Sequence, residues 1–106
     1  MSKIQTKTLK FTKSPSPDVV TNKLYLEEVP NEVTYESQSW DVGNNDVDGI
    51  VSIDLSTLSG IENIDGIFNV GVAAIDDVGN ESSMQTLSNV PLDFIPPEMV
   101  GTIEII

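Results

Sequence analysis

One hundred and six residues make about one domain's worth of chain, and seventeen acids against five lysines leave a net charge of −12. With no histidine and no cysteine, the composition excludes disulfide frameworks, thiolate metal sites and every catalytic constellation built on His or Cys. The acidity argues against nucleic acid as a partner, and no apolar run approaches the roughly 20 residues of a spanning helix, so no membrane insertion is expected.

All five lysines (Lys3, Lys7, Lys10, Lys13 and Lys23) lie in the first 23 residues, which contain Asp18 as their single acid. That segment carries +4 and the remainder −16. Lysines spaced along solvent-facing strand positions also discourage edge-to-edge association.

Alternation of period two begins at Leu9 and Phe11, with Lys10 and Thr12 between them, which reads as a half-buried strand. The Pro/Ser turn SPSPD, Ser14 to Asp18, ends it. Leu24 and Leu26 alternate next, so Tyr25 between them should face the other side of its sheet. Past Pro30 and Asn31, the stretch EVTYESQSW predicts a third extended segment carrying Val33, Tyr35 and Trp40. Val51, Ile53 and Leu55 give a further strand, followed by a loop holding Gly60, Asn63 and Gly66. Phe68, Val70, Val72 and Ala74 form the best strand pattern in the chain. Its other face, Asn69, Gly71 and Ala73, is small enough for the middle of a sheet. After the turn DDVGNES, Leu87 to Phe94 predicts the last strand, stopped by Ile95, Pro96 and Pro97. The final VGTIEII is either an extra edge strand or the start of a following domain.

The fold class expected is all-β: an antiparallel β-sandwich of about seven strands over residues 1–95, with 96–106 as linker or edge strand; a barrel is the runner-up.

Two stretches, LKFTKSPSPDVVTNKLYL and FNVGVAAIDDVGNESSMQTLSN, resemble the fibronectin type III domains of bacterial secreted proteins, a branch of the immunoglobulin-like sandwiches. In the second, the family's aromatic, Val/Val/Ala, Asp, Gly-Asn and Ser pattern is met by Phe68, Val70, Val72, Ala74, Asp76, Gly79, Asn80 and Ser82. The chain departs from the family in an E–F loop longer than usual and at three residues. Phe11 stands where strand B usually has tryptophan, Asn22 where strand C opens with tyrosine, and Phe68 at the tyrosine-corner position without its hydroxyl. The resemblance implies an extracellular or cell-surface, non-catalytic accessory or spacer module. It would be a monomer, with neighbouring domains of its own chain, a protein or a glycan as partners.

Few residues suggest chemistry. NNDVDG, Asn44 to Gly49, reads like the opening of an EF-hand loop, but Leu55 stands where the bidentate glutamate belongs and the flanks have strand period. A turn is expected there. A calcium site outside the EF-hand pattern is the alternative, with Asp41, Asp46 and Asp48 as ligands, and Asp76 and Asp77 beside Asn80 as a second cluster. No other cofactor is indicated. Trp40, Tyr25 and Tyr35 are the candidate aromatic platform for a glycan or a partner protein. Asp76 with Asp77, and Glu27 with Glu28, are the paired carboxylates an acid/base reaction would need. Adjacent strand residues point to opposite faces, so no catalysis is expected from either pair.

Overall fold

The computed structural model describes residues 3–106. Among them seven strands form two antiparallel sheets: β1 (Thr8–Thr12), β2 (Val19–Glu28), β3 (Gln38–Asp41), β4 (Asp46–Val47), β5 (Ile50–Asp54), β6 (Asp65–Asp76) and β7 (Gln85–Asp93). The order is β1-β5-β4 in one sheet and β3-β2-β6-β7 in the other. The expected all-β sandwich is therefore the architecture of the chain.

Register places the alternating apolar residues together. Leu24 lies opposite Val72, Leu26 opposite Val70, and Leu9 and Phe11 opposite Ile53 and Val51. Leu24, Leu26, Ile61, Ile64, Phe68, Leu92 and Phe94 are buried in one cluster between the sheets. β6, which carries the strongest alternation, is central, paired with β2 on one side and β7 on the other. The long β5–β6 connection contributes two 3₁₀ turns, Leu55–Thr57 and Ile61–Asn63, and inserts Leu55 and Ile61 into the core. Leu55, expected to end a strand, opens the first of these turns because Asp54 caps it, accepting from the Ser56 backbone N–H.

One expected strand is shorter than its pattern. Of EVTYESQSW only the Gln38–Trp40 end pairs, in a strand that runs on to Asp41, while Thr34–Ser37 form a turn. Ser37 is the reason: it is buried, its N–H donates to the Thr34 carbonyl, and its hydroxyl accepts from the Thr34 N–H and donates to Glu27. Local side-chain bonds to backbone replace the ladder there. The segment 95–106 has no strand partner among the described residues and is largely exposed.

Candidate functional site

The fold brings three groups of the predicted residues into definite geometry: a hairpin, an acidic turn, and a roofed outer sheet face.

NNDVDG is a hairpin. Asp46 pairs with Val51 and Val47 with Ile50, leaving Asp48-Gly49 as a two-residue loop with φ of 53° and 82°. Positive φ at both central residues is the type I′ arrangement, which Asp-Gly favours because its twist matches that of the flanking strands. The Asp46 carboxylate accepts from the Gly49 N–H at 2.9 Å and from Lys13 Nζ at 3.2 Å. The Gly49 bond, with Lys13 second, holds Asp46 below the usual carboxylate range. Asp41 lies apart at the end of β3, accepting from the Thr21 hydroxyl and, at 3.0 Å, from the Gly43 N–H. The structure does not gather Asp41, Asp46 and Asp48 into a common set of ligand oxygens. Asn22 anchors the hairpin's approach. It is 2% exposed and donates through Nδ2 to the Gly43 carbonyl at 2.8 Å and to Asn44 Oδ1 at 2.9 Å.

The β6–β7 turn is built around Asp76. Its carboxylate accepts from the Val78 and Asn80 N–H groups and from Asn80 Nδ2, and these bonds, the Asn80 backbone first, depress its pKa. Asp77 donates its backbone N–H to the Asp18 carbonyl. Among the described residues, Asp18, Asp76 and Asp77 are the acids whose carboxylate oxygens come within 4.8 Å of one another. Asp18 was missed in the sequence because its partners lie about sixty residues away; the SPSPD turn offered no hint of it.

The outer face of the four-stranded sheet gives the least expected arrangement. Tyr25 points away from the core, as alternation requires, yet is only 1% exposed. It stacks edge-on against Tyr35, with ring centroids 5.9 Å apart, and donates its hydroxyl to the Glu81 carboxylate. Opposite Tyr25 on β6 lies Gly71, and a Cβ there would meet Met84 Sδ at 2.6 Å and Val33 Cγ2 at 3.4 Å. Tyr35 donates to the Ser82 carbonyl at 2.7 Å. The loops 29–37 and 77–84 thus meet over β2 and β6 and close a second, small core. Burial, with Glu81 reinforcing it, pushes the Tyr25 hydroxyl well above the ordinary tyrosine range.

The three aromatics therefore do not form one open platform. Tyr25 is covered, and Trp40 packs against the core cluster and donates Nε1 to the Ser59 carbonyl at 2.7 Å. Tyr35 alone of the three is more than half exposed. The physical reason is the roof: period two assigns a residue to the outer face, but a loop from elsewhere in the chain decides whether that face meets water. Glu81, Met84 and Gly71 complete this arrangement, and only the smallness of Gly71 and Ala73 signalled it in sequence.

Comparison with known proteins adds no relative. The chain matches no family model, no curated protein and no solved structure. No helix among the described residues is long and apolar enough to cross a membrane.

Proposed function

We propose that this chain is a non-catalytic accessory module, a rigid spacer or protein-interaction domain of a larger bacterial protein that is secreted or displayed at the cell surface. One observation carries the reading. Of the side chains that offered chemistry in the sequence, Tyr25, Tyr35, Trp40, Asp41, Asp46 and Asp76 are each engaged in hydrogen bonds that fix the turns and loops of the sandwich. Such a frame suits loop-borne recognition on a fixed scaffold. The secreted setting and the partners, neighbouring domains of the same chain or an external protein or glycan, rest on the resemblance of LKFTKSPSPDVVTNKLYL and FNVGVAAIDDVGNESSMQTLSN to bacterial fibronectin type III domains.

The test combines place and activity. Antibody against the purified chain is expected to label intact source cells or their medium. Ester, glycoside and phosphodiester substrates are expected to survive incubation with it. Confinement to the cytoplasm would overturn the surface reading. Turnover abolished by a single substitution at Asp76 or Asp77 would overturn the non-catalytic one.

A further inference from the structure

The sandwich is open along one side. Among the described residues β1 pairs only with β5 and β7 only with β6, so both are edge strands, one in each sheet. Between them runs a cleft of about 270 Å³ that reaches the core residues Leu24, Leu26 and Val70 beside Leu9 and Leu87. A second hollow of about 480 Å³ continues it past Lys10 to Phe11, Thr12 and Gln85. Leu87 is 64% exposed, although its β6 partner Val70 packs on the core. At one end Lys7 reaches across and donates Nζ to the Pro91 carbonyl at 3.1 Å; beside Thr8–Thr12 no side chain among the described residues crosses in this way.

The free edge of β1 can be assigned. The Lys7 carbonyl accepts from Leu55 and the Lys13 N–H donates to Gly49, both on the β5 side. In an antiparallel pair alternate residues face the partner, so Leu9 and Phe11 bond to β5 while the backbone groups of Thr8, Lys10 and Thr12 face the open edge. Such an edge is a template for another strand.

The chain also carries an unpaired strand sequence. Met99, Val100, Ile103, Ile105 and Ile106 are each at least 76% exposed. Ile103 and Ile105 share one face in extended chain, and Thr102 and Glu104 the other. The Cα radius of gyration is 16.7 Å, where a compact chain of this length has about 13 Å. The segment therefore stands off the body, and the stiff Pro96-Pro97 pair disfavours a reversal toward its own β1.

We infer that segment 98–106 of one copy of this chain docks along the open edge of β1 in a second copy, adding a fourth strand to the three-stranded sheet. Nine extended residues span about 30 Å, enough to cover the five residues of β1 at about 17 Å. Ile103 and Ile105 enter the cleft against Leu9 and Phe11. Glu104 comes beside Lys10 on the outer face, a cross-strand pair of opposite charge. Lys10 thus gives selectivity: it repels a second β1 edge and attracts the acidic segment. The contact joins different surfaces of the two copies, so it yields chains of copies, or dimers if two segments exchange. This departs from the monomer expected above and does not depend on the accessory-module reading.

The experiment measures mass by light scattering and amide exchange by NMR on the full chain, from micromolar to near-millimolar concentration. Mass is expected to rise above the 11.5 kDa of one chain, while exchange at Thr8, Lys10 and Thr12 slows by about tenfold or more. Ile103→Asp, in an exposed position that leaves the sandwich intact, is expected to abolish both effects. Adding a synthetic peptide of residues 98–106 to that variant is expected to restore the protection. A single-chain mass at every concentration with unprotected edge amides would overturn the inference. So would association that survives Ile103→Asp, which would place the contact elsewhere. Edge protection that is independent of concentration would also overturn it, since the segment would then fold back onto its own chain.

Discussion

Tyr25, in the middle of β2, donates its phenolic hydrogen to the carboxylate of Glu81, a residue 56 positions later in the turn before β7. That bond, with the Tyr35 contact beside it, converts the outer face of a sheet into an enclosed second core. Tyr25→Phe keeps the ring and loses the bond, so it is expected to destabilise by about 1 kcal/mol, whereas Tyr25→Ala is expected to cost about 3–5 kcal/mol. Gly71→Val should also destabilise, because the added carbons displace Met84. Urea midpoints of the three variants check the order; a Tyr25→Ala loss no larger than that of Tyr25→Phe would contradict the enclosed core.

Asn22 is buried and donates to two acceptors. Asn22→Asp replaces that donor with a carboxylate facing the Gly43 carbonyl and the Asn44 side-chain oxygen. A loss of about 2 kcal/mol is expected at neutral pH, relieved in part when the new carboxyl is protonated at acid pH. Chemical unfolding at the two pH values measures it.

The Asp48-Gly49 loop needs positive φ at both residues. Gly49→Ala has room for its methyl but not the backbone preference, and about 1 kcal/mol of destabilisation is expected. Asp48→Asn should be neutral or slightly stabilising, since Asn-Gly serves the same turn. Equal losses at both positions, by thermal unfolding, would contradict the type I′ assignment.

Asp46 and Asp76 have folded pKa values below the ordinary 3.8. Their bonds therefore stabilise fully above that value, and the contribution is lost as pH falls through the lower folded values. Tyr25 has the opposite sign: its raised pKa stabilises fully below pH 10.0 and the contribution disappears as pH rises beyond it. Stability against pH should show both limbs, the acid one shallower in Asp76→Asn and the alkaline one shallower in Tyr25→Phe.

Calcium at millimolar concentration is expected to leave the amides of residues 41–49 unmoved. The Asp41 and Asp46 oxygens already accept bonds from the chain, and Asp41, Asp46 and Asp48 do not come together as a ligand set. Saturable NMR shifts there, reversed by chelator, would overturn this.

What the sequence determined by itself was carried by neighbours one to four residues apart. Alternation at Leu24/Leu26, Val51/Ile53 and Phe68/Val70/Val72 specified strands and their inward faces, because side-chain direction in extended chain has period two. The turn at Asp48-Gly49 was legible for the same reason, since positive φ is a property of those residues alone. Tertiary structure decided what depends on distant segments meeting: that Tyr25 is roofed by Tyr35 and Glu81, that Trp40 turns to the core, and that Asp18 joins Asp76 and Asp77. It also decided that β1 and β7 face each other across an open cleft. Burial is a sum over contacts from the whole chain, and no local pattern encodes which loop will cover which face.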